Sequence, residues 1–146
     1  MITGDISDST KLIFHLKILE AEIKRPVYFV LGNHDFYHSS IKKVYKEVSN
    51  LVSNSKNMSW LTEMGIIEIN SDTAVVGHDA WADGRFENFF LSPFLLNDYF
   101  LIPEFMKLGQ KDLLKMIQNL VDKGVNHFRK FLPMSCQSYR KIFFNT

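Results

Sequence analysis

Val27-Tyr28-Phe29-Val30-Leu31-Gly32-Asn33-His34-Asp35-Phe36-Tyr37 is the stretch on which the fold turns. Its first five residues are an unbroken apolar run with two valines and two aromatics, the pattern of a strand buried on both faces of a parallel sheet. Gly32 ends the run. On its amino-terminal side stands Pro26, whose ring cannot follow a helical turn and which biases Arg25 toward extended geometry. Before Pro26, Leu12, Leu16, Leu19 and Ile23 recur at helical spacing, and Asp8 or Ser9 is placed to cap that helix. Thr3 and Gly4 then read as the exit of an earlier strand. Residues 4–32 are therefore a strand-helix-strand unit of the length that a right-handed parallel crossover requires.

Further along, Ile41, Val44, Tyr45, Val48, Leu51 and Val52 share one helical face, with Lys42, Lys43, Lys46 and Glu47 largely off it. The apolar runs Ile66 to Ile69 and Ala74 to Val76, separated by Asn70, Ser71 and Asp72, read as a hairpin. Gln110 to Phe131 has helical period, with Gly124 as a weak spot and Pro133 as the expected stop. Ile142 to Phe144 reads as a last strand. The region Phe89 to Ile102 is hydrophobic but carries Ser92, Pro93, Asn97 and Asp98, and is too short to span a bilayer; it reads as core and pocket wall.

The whole sequence of 146 residues has room for one domain, and 46% apolar with 23% charged residues excludes a disordered or low-complexity chain. Seventeen basic against sixteen acidic side chains leave a net charge of +1, so no nucleic-acid-binding surface and no membrane partner is expected. The single Cys136 excludes an internal disulfide framework and a cysteine-based zinc cage. With an amino terminus that lacks the pattern of a signal peptide, a cytoplasmic location is expected.

Two loops bear chemistry: Gly4-Asp5-Ile6-Ser7-Asp8 and Gly32-Asn33-His34-Asp35. Each follows a strand of the same parallel unit, and the carboxyl ends of parallel strands lie side by side, so Asp5 and Asn33 are expected to be neighbours. Carboxylate and amide oxygens with an imidazole suit a divalent metal and hydrolysis. Read separately, Asp5 and Asp8 are ordinary helix-capping residues and Asn33 an ordinary left-handed turn residue beside a glycine. Turn chemistry alone has no reason to place His and Asp directly after Asn.

Gly-Asp-x-x-Asp followed by Gly-Asn-His-Asp resembles the signature of the calcineurin-like metallophosphoesterase family. The flanking Val27 to Tyr37 and Gly77-His78-Asp79-Ala80-Trp81-Ala82-Asp83-Gly84-Arg85 are similar to bacterial members. The resemblance implies an α/β fold: an incomplete metallophosphoesterase-like α/β sandwich, with the parallel unit and an added hairpin, in a single partial domain over 1–146. It implies two divalent metal ions (Mn, Fe or Zn), with Asp5 bridging them and Asn33 binding the second. A phosphoester would be the substrate, His34 would protonate the leaving oxygen, and Asp35 would orient and charge-stabilise that imidazole. Asp8 matches the second aspartate, for which a structural hydrogen bond is expected.

His78, Asp79, Trp81 and Arg85 are expected in the cleft wall, with His78, Asp79 and Arg85 as substrate contacts; a structural Trp81 and a surface pairing of Asp83 with Arg85 stand as the alternatives. For His15, His38 and His127 a structural role is expected. The family's Asp-x-His and Gly-His-x-His are absent, position 80 being Ala, so only Asp5 and Asn33 are assigned as ligands. Two ligands fall short of the three or more protein groups of catalytic metal sites. The expectation is thus the central part of a longer hydrolase, weakly active or inactive alone. Its alternatives are a non-catalytic module binding a phospho-ligand or a protein through sheet edges and the Phe86 to Phe100 region, or one part of an enzyme completed by another chain.

Overall fold

The computed structural model describes residues 1–85, 89–92 and 95–145. Two three-stranded sheets form the centre. In the first, β1 (Ile2–Thr3), β2 (Val27–Val30) and β3 (Met58–Trp60) are all parallel, in that order. The register pairs Ile2 with Phe29 and Tyr28 with Ser59. Helix α1 (Ser9–Glu22) crosses from β1 to β2 and α2 (Ile41–Ser53) from β2 to β3. Asp8 caps α1 by accepting from the Thr10 amide at 2.8 Å, and Ser40 caps α2 through the Lys43 amide at 3.2 Å. Each cap satisfies one of the amides that the first turn of a helix leaves unpaired.

Side chains alternate along β2. Val27, Phe29 and Leu31 join Leu12 and Leu16 of α1, Val44 and Val48 of α2 and Trp60 of β3 in the larger core. Val30 turns the other way, onto Leu61, just past β3, and onto Val75 of the second sheet. Burial on both faces is what the unbroken apolar run predicts.

The second sheet pairs β4 (Ile67–Asn70) antiparallel with β5 (Thr73–Gly77), and β5 parallel with β6 (Lys141–Asn145). The expected hairpin is present, but it belongs to this separate sheet. The sheets are tied by side chains: Asn145 Nδ2 donates to the Ile2 carbonyl at 2.8 Å, and the buried Asp79 accepts from the Leu31 amide at 2.6 Å and from Trp60 Nε1 at 3.1 Å. Strand β3 is not legible in the sequence, since three residues with polar Ser59 in the middle make too short a pattern to read.

Short helices α3 (Asp98–Leu101) and α4 (Pro103–Met106) precede α5 (Gln110–Ser138). Pro133 does not stop α5, contrary to expectation. Its missing N–H and its ring cost a helix interior about 3 kcal/mol, but the turns on both sides are anchored to the hairpin. Phe131 packs against Gly65, where an added Cβ would stand 2.7 Å from the ring, and the Tyr139 hydroxyl donates to Glu68 at 2.9 Å. Buried Ser135 bonds the Leu132 carbonyl at 2.9 Å, and the amides of Arg140 and Lys141 both donate to the Asp72 carbonyl.

The Phe89 to Ile102 region is only partly core. Ile102 is buried, whereas Leu91 is 77% exposed and Leu95 64% exposed; residues 86–88 and 93–94 of the expected aromatic surface lie outside the described residues. No described helix is long and apolar enough to cross a membrane.

Burial raises the Asp79 carboxyl to about 6 from an ordinary 3.8; the donors Leu31 and Trp60 oppose the shift and the nearby Asp35 carboxyl reinforces it. Tyr45 also faces it. In the window between those two values the folded chain retains a proton that the unfolded chain releases. The contribution of Asp79 to stability is therefore greatest below the lower value and falls as pH rises toward the upper one. Urea unfolding of wild type and Asp79→Asn from pH 4 to 7 should show their stability difference shifting against wild type by on the order of 2 kcal/mol. A difference independent of pH would refute this account.

Candidate functional site

The exits of β1 and β2 touch. Gly4 has φ +95°, and a Cβ there would lie 2.7 Å from the Gly32 nitrogen. Asp5 follows with φ 51°, a left-handed conformation that a non-glycine residue adopts at a cost. The two loops are joined by Asp35, which is fully buried: Oδ1 accepts from the Ser7 amide at 2.8 Å and Oδ2 from the Gly32 amide at 2.9 Å. Burial raises its carboxyl to about 6 although both amides pull the other way.

Asp5 and His34 stand at the surface above this clamp. Asp5 Oδ1 accepts from the His34 amide at 3.3 Å, and Asp5 Oδ2 lies 3.8 Å from His34 Nδ1, both side chains being about half exposed. The ring of His34 rests against that of Tyr37, with centroids 4.7 Å apart. The expected contact of Asp35 with the imidazole is replaced: both Asp35 oxygens are engaged by backbone amides of the two loops, and Asp5 is the carboxylate beside the ring.

Asn33 lies at the start of a 3-10 turn, Asn33–Phe36. Its Nδ2 donates to Asp98 Oδ1 at 2.7 Å and to the Tyr37 hydroxyl at 3.3 Å, while that hydroxyl donates to the same Asp98 oxygen at 2.8 Å. Burial, and then the Asp98 carboxylate, hold the Tyr37 hydroxyl well above the usual phenol range, so it stays a donor. Asn33 and Asp98 also line a cavity of about 170 Å³ with Trp81, Tyr99 and Phe105. A larger groove between α1 and α2 is lined by neither Asp5, Asn33, His34 nor Asp35. Sequence reasoning missed Asp98. The signal was there: it is the only charged residue from Phe89 to Ile102.

The remaining expected substrate contacts lie elsewhere. His78 is buried, its Nδ1 2.9 Å from the Asp79 carbonyl oxygen and its ring 5.1 Å from that of His127. Gly124, read as a weak spot in its helix, makes room for it, since a Cβ there would stand 3.2 Å from His78 Nδ1. Burial lowers the pKa of both imidazoles. Asp79 is committed to the sheet tie described above. Arg85 pairs at the surface with Asp83 at 3.1 Å and Asp122 at 2.7 Å, so the surface-pairing alternative holds. Trp81 packs its ring on Phe36 and Phe105. Asp8, as expected, is a capping residue.

Parallel strands joined by crossover helices, with carboxylate, amide and imidazole at two adjoining strand exits, define an α/β protein with a polar surface site at those exits. A family model described as calcineurin-like phosphoesterase matches residues 1–133, and the chain belongs to that family. No curated protein and no solved structure gives a significant match. Members of the family generally use divalent metal ions. The Asp5 carboxylate and Asn33 amide fit such an ion in kind, as hard oxygen donors. They do not complete a centre: among the described residues no three His, Cys, Asp or Glu side chains gather as a metal-holding group.

Gly32→Ala should disturb this geometry directly, because the new Cβ would fall 2.0 Å from Asp5 Oδ1 and 2.5 Å from the Asp5 nitrogen. A loss of about 1–3 kcal/mol in urea unfolding is expected, with amide shifts centred on Asp5. Asp35→Asn leaves one of two amides without an acceptor and should cost about 1–3 kcal/mol; unchanged stability in both variants would contradict the clamp.

Proposed function

We propose that the strand-exit site formed by Asp5, Asn33 and His34 serves metal-dependent phosphoester hydrolysis, with Asp35 holding its two loops together. The observation that carries this reading is the pairing of a left-handed, half-exposed Asp5 with His34 across two strand exits in a chain of the phosphoesterase family. Asp5 and Asn33 would hold a divalent cation through oxygen. When bound, the cation supplies charge neutralisation for the phosphoryl oxygens. His34 is placed to carry a proton to the leaving oxygen, with Asp5 Oδ2 3.8 Å from its Nδ1. Asp35 is a positioning residue: it accepts from Ser7 and Gly32 and thereby sets the separation of Asp5 and Asn33.

The small number of converging donors supports a second reading, in which residues 1–146 bind a phospho-ligand or complete an active centre only with ligands from another chain or segment. Manganese-supplemented hydrolysis of an aryl phosphodiester and an aryl phosphomonoester separates the two. The expected outcome is weak turnover, raised when complementing ligands are supplied, with His34→Ala removing about 10²–10⁴-fold of whatever rate is present. A robust rate abolished by Asp5→Asn or His34→Ala would keep the site and overturn the weak-activity reading. A robust rate indifferent to both would overturn the site.

A further inference from the structure

We propose that Asp98, through the Tyr37 hydroxyl and its own carboxylate, is the positioning residue that decides which end of the Asn33 amide faces the site. The inference rests on the reading of Asn33 as an oxygen ligand. An asparagine amide has a donor end and an acceptor end of nearly equal size, and only the surrounding network decides between them. Here the network leaves one solution. An ionised carboxylate accepts and cannot donate. Asp98 Oδ1 accepts from Asn33 Nδ2 at 2.7 Å and from Tyr37 at 2.8 Å. Tyr37, having given its proton to Asp98, offers a lone pair to the same Nδ2 group at 3.3 Å.

The amide nitrogen thus sits in a triangle of three side chains, its NH₂ turned toward Asp98 and the Tyr37 oxygen. Its oxygen lies on the other branch of the planar group and has no hydrogen-bond donor among the described residues. Rotating the amide by half a turn would bring two oxygens together and leave the Tyr37 oxygen without a donor, in a place where Asp98 is nearly buried. The carboxylate comes from α3, 65 residues away in sequence, so the presentation of Asn33 depends on how α3 docks.

The test reads the amide itself, on the full chain, by hydrogen exchange and line width of the Asn33 side-chain NH₂ in a nitrogen-15 spectrum. In wild type this pair should exchange slowly. In Asp98→Ala exchange should rise about tenfold or more, the factor one charge-assisted hydrogen bond represents. Asp98→Asn, which can still present an oxygen to both donors, should restore most of the protection, a rescue that a merely space-filling role would not need. Manganese titration gives the second readout. Asn33→Ala and Asp98→Ala should weaken Mn²⁺-induced broadening at Asp5 and residue 33 to similar extents, and the double variant should add nothing beyond either.

Unchanged Asn33 exchange in Asp98→Ala overturns the proposal, as does full Mn²⁺ affinity in Asp98→Ala where Asn33→Ala has lost it. If Asn33→Ala binds Mn²⁺ as wild type does, the ligand reading of Asn33 falls and the positioning of its amide is judged on exchange alone. Should Asp98→Ala lose its native spectrum, Tyr37→Phe carries the test, with a smaller rise in exchange expected and no rise overturning the proposal.

Discussion

The constraint on which the rest depends is the contact of two backbones at the strand exits, where Gly4 leaves no room for a Cβ beside Gly32. Parallel pairing of Thr3 with Val30 brings the chain to that point, and the buried Asp35 carboxylate closes it by accepting one amide from each loop. Such a pair of charge-assisted bonds is strong because the acceptor is out of water and the donors are fixed. Everything above it, including the Asp5 to His34 pairing, inherits its geometry from this clamp.

Around the end of β2 the carboxylates are sorted by burial into different tasks. Asp5 remains half exposed and keeps its oxygens near the surface. Asp35, Asp79 and Asp98 are buried and engaged by donors: amides of two loops for Asp35, the Leu31 amide just past β2 and the Trp60 indole of β3 for Asp79, and the Asn33 amide and Tyr37 hydroxyl of one turn for Asp98. A buried carboxylate without such donors would destabilise the fold. The polar scaffold is therefore committed to holding backbone and side chains in place, and the chemistry is left to Asp5, Asn33 and His34.

The reading of the aspartates shows where sequence reasoning stops. The family resemblance implied that Asp35 orients the His34 imidazole, but in a 3-10 turn successive side chains diverge, and Asp35 turns inward while His34 turns out. His78 and Asp79 were expected in the cleft wall, as part of the Gly77 to Arg85 stretch that is similar to family members. They sit at the end of β5, in the other sheet, where the chain is covered by α5 and β3. Pro133 looked like a helix terminus because its cost is local and legible, whereas the hairpin contacts that offset it come from residues 65, 68 and 72.

The sequence by itself determined the parallel strand-helix-strand unit with its capped helix, the second amphipathic helix, the hairpin and the pair of loops bearing Asp5, Asn33 and His34. Those features rest on period, propensity and turn chemistry, which act between residues close in the chain. Only the tertiary structure decided that the hairpin joins β6 in a second sheet, that Asp35 clamps backbone amides, and that Asp98 holds the Asn33 amide. Each of these is a contact between groups tens of residues apart. Its formation depends on burial, which removes competing water and makes one arrangement of donors and acceptors far better than the others.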